Sequence, residues 1–279
     1  MTPTPPSLAS RPSRSLLFEG LNVDIHDGDG PPVVLVHGMM AGRGLWAANL
    51  DSLRTYLTPV VVELYGHGRS QSPDDGERYT PASYSARFDR LRRSLGVDRW
   101  LLIGQSLGAS LTLRYAIDHP EDVIAHAFTN SASALNGESW RTAVLASVGP
   151  QAARVRASGL EYLAKSRTNP LRSRSIVPSV RAEFESDVAL MNPTGIANSM
   201  EHTTPTTSIR ERLAENRAPC LLVAGANEKG FADGCAFAEA HMSMLTVERV
   251  DARHSPNAEI PDTFNDVVER FFRTHVSRG

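Results

Sequence analysis

Four runs of the chain constrain its fold most: "PPVVLVHG" from position 31, "PVVVELYG" from 59, "RWLLIGQS" from 99 and "PCLLVAGA" from 219. Each is apolar at successive positions rather than alternate ones, and each reaches a glycine. A strand that is apolar on consecutive residues is buried on both faces, the condition of a parallel sheet covered by helices on each side. Helical patterns fall between the runs. "TPASYSARFDRLRRSLG" places Thr80 as N-cap, Pro81 at the first helical position and Gly96 as the stop, with Tyr84, Phe88, Leu91 and Leu95 along one face. "LWAANLDSL" and "LGASLTLRYAIDHPED" read as further helices, and "DTFNDVVERFF" closes the chain with Phe264, Val267, Val268, Phe271 and Phe272 on one face.

Two shorter runs, "SLLFEG" and "LNVDIHDG", read as a leading hairpin, while "VIAHAFTNSAS" and "LTVERVDARH" supply further strands. The expectation is therefore an α/β fold with a mostly parallel eight-stranded sheet. The strand–helix alternation breaks between about Ala134 and Glu215, where helical stretches occur without a buried strand. This predicts a core formed by 15–134 and 216–279, with a helical cap at 135–215 inserted between. Residues 1–14, rich in Pro and Ser and without a central apolar stretch, read as a disordered arm rather than a signal peptide.

Composition narrows the function classes. The chain has 279 residues, 41% hydrophobic and 22% charged, with a net charge of −2, which is ordinary for a globular protein and offers no basic footprint for nucleic acid or a membrane surface. No stretch approaches the roughly 20 apolar residues of a membrane span, so a cytoplasmic location is expected. The two cysteines, Cys220 and Cys235, form no disulfide framework or metal cluster, and Cys220 reads as a buried thiol. No phosphate-cradling loop or dinucleotide fingerprint is present. The expected partner is a small-molecule substrate, with no cofactor and no metal.

The chemistry concentrates at Ser106, framed as "GQSLG". Gly-x-Ser-x-Gly alone is weak, since a chain of this length carries it by chance roughly once in about ten. Its context is stronger: a buried strand, a sharp turn and a buried helix. At such a turn the chain crosses close to itself, side chains at 104 and 108 would collide, and the apex serine is held in a strained conformation above the sheet, next to a helix N-terminus that favours negative charge. A serine nucleophile needs a base, and the base an orienting acid. The loop after "CLLVAG" offers Glu228 and the loop after "LTVERV" offers His254, each beyond the C-terminal end of a strand, where open α/β sheets place their sites.

With "VVLVHGMM", "ELYGHGRS", "GQSLG", "GANE" and "ARHSPNAEIPDTF" in this order, the chain resembles the α/β-hydrolase superfamily over about Leu16 to His275. The resemblance implies Ser106 as nucleophile, His254 as base, Glu228 as the acid and the main-chain N–H groups of Met39 and Leu107 as oxyanion donors. Glu228 stands where aspartate is usual, and Glu63 likewise replaces an aspartate. The leading expectation is a serine hydrolase acting on an ester or lactone. Its rivals are a carbon–carbon bond hydrolase of a β-diketone-like substrate, an acyltransferase or perhydrolase, and a ligand-binding relative without turnover. Ser106 at the elbow disfavours dehalogenase and epoxide-hydrolase chemistry, which need a carboxylate there.

Several residues compete for roles. Asp233 is near enough to rival Glu228, whereas Asp251 lies only three residues before His254 and makes a poor orienter. His37 and His67, in glycine-containing turns, read as structural hydrogen-bonding groups, and His126 as a core histidine. In the cap, "RTNPLRSRSIVPSVR" carries Arg167, Arg172, Arg174 and Arg181 and no acid. The ordinary reading is a solvated loop answered by Glu183, Glu185 and Asp187. The alternative turns Arg172 or Arg174 inward to pair with a substrate carboxylate through a planar fork of donors.

Overall fold

The computed structural model describes residues 11–165 and 169–276. Eight strands, β1 (Arg14–Phe18), β2 (Leu21–Ile25), β3 (Pro32–Val36), β4 (Thr58–Val62), β5 (Trp100–Gly104), β6 (Val123–Thr129), β7 (Cys220–Gly225) and β8 (Leu245–Val250), form one sheet in the order β1-β2-β4-β3-β5-β6-β7-β8. The β1–β2 and β2–β4 pairs are antiparallel and all others parallel. β3, β4, β5 and β7 are buried along nearly their whole length, as consecutive apolar residues require. The sheet starts earlier than the sequence indicates. The Ser13 N–H already bonds the Ile25 carbonyl and Arg14 opens β1, so the end of the expected arm is strand, because it can pair with β2. Residues 1–10 of that arm lie outside the described residues.

Helices α1 (Leu50–Arg54), α2 (Pro81–Ser94), α3 (Leu107–Asp118), α4 (Ala132–Leu135), α5 (Glu138–Lys165), α6 (Pro178–Val188), α7 (Pro193–Asn198), α8 (Ala232–His241), α9 (Pro256–Glu259) and α10 (Pro261–Val276) complete the chain. Thr80 caps α2 by accepting the Ser83 N–H, and Pro81 follows at N1. The stretch expected as one helix over Leu45–Leu53 is instead a 3-10 turn at Arg43–Trp46 followed by α1. The buried Asn49 side chain between them donates to the Asn257 carbonyl and to Asn265 Oδ1 (2.9 Å), a tertiary demand that interrupts the local periodicity. Apolar clusters cover both faces of the sheet: Trp46, Leu53, Phe264 and Phe272 lie on one side, Tyr84, Phe88, Leu91 and Tyr115 on the other, and a further cluster gathers Leu113, Phe128, Leu222 and Phe231.

Between β6 and β7 the described residues contain helices and turns but no strand. α5 breaks at Gly159, whose φ of 58° lies in the left-handed region. This layer is tied to the core by a buried ionic node. Asp187 of α6 accepts the Gly44 N–H at 2.6 Å and an Arg69 N–H at 3.0 Å, and the Arg69 guanidinium also reaches Glu63, 3.5 Å away. Burial and the neighbouring Asp187 charge push the Glu63 carboxyl above its usual range, against the pull of Arg69. A second tie is apolar: Met40 packs with Ala152, Val155, Met191, Ile196 and Met200. Both ties reach the segment that follows β3 and carries Met39, through Gly44 and Met40, and the ionic one also reaches Glu63 and Arg69 after β4.

Candidate active site

The C-terminal ends of β3, β5, β7 and β8 bring together Met39, Ser106, Glu228 and His254. Ser106 caps α3 with φ 53° and ψ −114°, a backbone conformation that non-glycine residues avoid. The turn is possible because of what flanks it. A Cβ at Gly108 would lie 2.0 Å from the Val36 carbonyl oxygen, and one at Gly104 would lie 2.2 Å from Thr112 Oγ1 and 2.6 Å from Ala109 Cα. The elbow is braced from below by Ser131, whose Oγ donates to the Ser106 carbonyl at 2.7 Å and contacts Ser110 Oγ at 2.9 Å.

Above the elbow, His254 Nε2 lies 2.9 Å from Ser106 Oγ, and His254 Nδ1 lies 2.9 and 3.0 Å from the two Glu228 oxygens. The chain Oγ–imidazole–carboxylate is therefore continuous. With Nδ1 protonated toward Glu228, Nε2 is the acceptor for the serine proton. Burial works against the charged form of Glu228, but hydrogen bonding and charge from His254, together with the Asn130 amide, outweigh it and hold the carboxyl below the ordinary glutamate range. Asp251 is exposed and bonds the Asn227 amide instead, and no described hydrogen bond joins Asp233 to His254.

Asn130, at the end of β6, is the residue whose role here the sequence reading missed. Its Nδ2 donates to Glu228 Oε2 at 2.8 Å and to the Gly225 carbonyl, and its Oδ1 accepts the Gly225 N–H at 3.0 Å. The amide thus fixes both the side chain of Glu228 and the strand end that carries it. Its place at a strand terminus beside the site, together with its polarity, was the available signal. Gln105 adds a second link by donating from Nε2 to Ser255 Oγ at 3.0 Å, which joins the residue before Ser106 to the one after His254.

The N–H groups of Met39 and Leu107 have no hydrogen-bond partner among the described residues, and Leu107 is the first residue of α3, where N–H groups are unpaired. The loop bearing Met39 is held by two buried histidines. His67 Nε2 accepts the N–H of Met40 at 3.0 Å, and Met40 has φ 59°. His37 Nε2 accepts the Leu64 N–H at 3.0 Å. Burial lowers His37 to about 3, the nearness of a second imidazole, His67, working in the same direction, and burial lowers His67 to about 4, so both are neutral and able to accept. His126, also buried and lowered to about 3, contacts Thr112 Oγ1 within the core.

The cap arginines stand elsewhere. Arg172 and Arg174 are exposed, and Arg172 donates to the Lys165 carbonyl at 2.8 Å. Arg181 bonds the Leu171 carbonyl at 2.7 Å and the Ser173 carbonyl. No described contact links any of the three to Ser106, Glu228 or His254, and Arg167 lies outside the described residues. The one group of His, Asp and Glu side chains close enough to share a cation among the described residues is Asp89, His119 and Asp122. Arg92 already bridges Asp89 at 2.8 Å and Asp122 at 2.9 Å. No helix among the described residues is long and apolar enough to cross a membrane.

Comparison with known proteins agrees with this architecture. A Bacillus subtilis (strain 168) protein that bears the name of a 2-succinyl-6-hydroxy-2,4-cyclohexadiene-1-carboxylate synthase is 26% identical over 271 residues, covering 90% of this chain and 97% of its own. The enol-lactonase from Burkholderia xenovorans LB400 superposes with a TM-score of 0.78 at 20% identity, over 93% of this chain and 100% of that one. A thermophilic esterase from Thermogutta terrifontis superposes at 0.76 with 19% identity, over 94% and 98%. Residues 31–259 match the alpha/beta hydrolase fold family, and the chain belongs to it.

Proposed function

We propose that this α/β hydrolase cleaves the carbonyl–oxygen bond of a small ester or lactone through Ser106, His254 and Glu228. His254 Nε2 takes the Ser106 proton as Oγ attacks the carbonyl carbon. The Met39 and Leu107 amides receive the oxyanion, His254 returns the proton to the departing alkoxide, and the acyl group remains on Ser106. Water, deprotonated by the same imidazole, then releases the acid and restores the serine. Glu228 holds the tautomer and stabilises the imidazolium. The observation that carries this reading is the unbroken chain of 2.9 Å contacts from Ser106 Oγ through His254 to Glu228.

Chemistry other than ester hydrolysis, cleavage of a β-diketone-like substrate among it, is the second reading, because the Bacillus subtilis relative matches over nearly its whole length and its name is that of a synthase. That name includes a carboxylate, which calls for cations at the pocket, and the exposed Arg172 and Arg174 favour the ester reading instead. A panel of short- and long-chain p-nitrophenyl esters, lactones, acidic monoesters and β-diketones separates the two. The proposal expects turnover of neutral esters or lactones, with the acyl group of an ester carried transiently on Ser106. Turnover confined to β-diketones, or a preference for acidic monoesters abolished by Arg172→Ala or Arg174→Ala, would contradict it.

A further inference from the structure

Glu259, the last residue of α9, makes an unusual pair of bonds. Its Oε2 accepts the Arg253 N–H at 2.8 Å and its Oε1 accepts the Ser255 N–H at 3.0 Å. These are the main-chain N–H groups of the two residues that flank His254. The carboxylate is half-buried and has no ion-pair partner among the described residues, so both oxygens serve the backbone alone. The same two residues are held from the opposite direction: Asn130 Nδ2 reaches the Arg253 carbonyl at 3.3 Å and Gln105 Nε2 the Ser255 hydroxyl at 3.0 Å. The link from α9 back to the loop is short, since the Glu259 N–H also donates to the Ser255 carbonyl at 2.9 Å.

We infer that Glu259 is a positioning residue for His254, which fixes the backbone of the base loop so that the imidazole meets Ser106 and Glu228 together. The inference rests on the reading of His254 as the base. The physical grounds are three. A hydrogen bond to a carboxylate is roughly twice as strong as a neutral one. The bond to Ser255 fixes the 254–255 peptide plane on one side of His254, the bond to Arg253 fixes the 252–253 plane, and the Asn130 contact to the Arg253 carbonyl restrains the 253–254 plane between them. His254 is itself part-exposed, so packing alone leaves its ring loosely held. A displacement of about 1 Å at a reacting group is enough to cost about 10²-fold in rate.

The test is a double-mutant cycle between Glu259 and Glu228. Glu259→Gln keeps the shape but offers one acceptor oxygen where two amides need one each. Glu259→Asp keeps the charge but lacks the reach for both amides, and it serves as the second variant should the glutamine change impair folding. On a p-nitrophenyl ester, Glu259→Gln is expected to lower kcat about tenfold or more with KM within about twofold, and Glu259→Asp to fall in between. In a Glu228→Gln background, where the imidazole has already lost its orienter, the same change is expected to cost less than about threefold. A general structural role would cost the same factor in both backgrounds, and that result, or full activity in both Glu259 variants, overturns the inference. If Glu228→Gln itself leaves kcat unchanged, the reading of Glu228 as the acid fails first, and the inference, which has Glu259 hold His254 against both Ser106 and Glu228, fails with it.

Discussion

Gly108→Ala tests how tightly the elbow is built. The added Cβ would stand 2.0 Å from the Val36 carbonyl oxygen, 2.6 Å from its carbonyl carbon and 2.7 Å from the His37 oxygen. All three are main chain at the end of β3, which is hydrogen-bonded between β4 and β5 and cannot yield. A carbon–oxygen contact settles near about 3.3 Å, so the N-terminus of α3 must withdraw by about 1.3 Å. Ser106 and Leu107 ride on that terminus, whereas Met39 follows β3 and stays. The two candidate oxyanion donors then separate by about 1 Å, and Oγ shifts against Nε2. A shift of that size predicts a fall in kcat of about 10²-fold, and overpacking costs about 1–3 kcal/mol of stability. Gly137→Ala is the control: nothing lies within 4 Å of its new Cβ and its φ is outside the left-handed region, so activity is unchanged and stability stays within about 1 kcal/mol of the parent. Ester hydrolysis and thermal unfolding of the two variants decide the matter. A folded Gly108→Ala enzyme within threefold of the parent kcat would refute the argument.

Other expectations follow from the same geometry. Glu228→Gln should lower kcat by orders of magnitude while Asp233→Asn leaves it nearly intact, and the reverse pattern in steady-state kinetics would move the acid to Asp233. Asp187→Asn removes the charge that meets the Gly44 amide and Arg69, and a loss of about 2–3 kcal/mol is expected from the denaturant midpoint at unchanged slope. Acid should destabilise the protein early. His37, His67 and His126 are lowered to about 3, 4 and 3, so the unfolded chain takes up their protons first, and stability present above pH 6.5 is lost as pH falls toward 4 and below. At pH 5, where carboxylates are still charged, each histidine accounts for about 2 kcal/mol, and a melting temperature that stays flat from pH 7 to 5 would contradict their buried neutral state.

Much of the fold was legible in the sequence because its signals are local. Consecutive apolar residues in 33–36, 60–62, 101–103 and 221–223 require a strand covered on both faces, and Thr80-Pro81 with Gly96 brackets a helix. The elbow was legible for a steric reason: a chain that turns from strand to helix at one residue has no room for side chains at 104 and 108. The order Ser106, Glu228, His254 could be read because each follows a strand end. What escaped the reading depends on distant partners. Asp187 reaches Gly44 across 143 positions, and Asn130 reaches Glu228 across 98. The place of Asn130 at a strand end points to the site but not to its partner, and nothing near Asp187 marks its pairing. Asn49 broke a helical pattern for the sake of Asn257 and Asn265, also far away in the chain. The cap arginines show the converse limit, since an acid-free basic stretch does not say which way its side chains turn.

The central claim is that Ser106 Oγ, activated by His254, becomes acylated. The most direct measurement is labelling with a fluorophosphonate, followed by mass spectrometry of the modified peptide and repeated with Ser106→Ala and His254→Ala. The account predicts one label per chain, on Ser106, at a rate that falls by orders of magnitude in His254→Ala, and no label and no ester turnover in Ser106→Ala. A label on another residue, or a Ser106→Ala protein that still hydrolyses the ester at the parent rate, would contradict it.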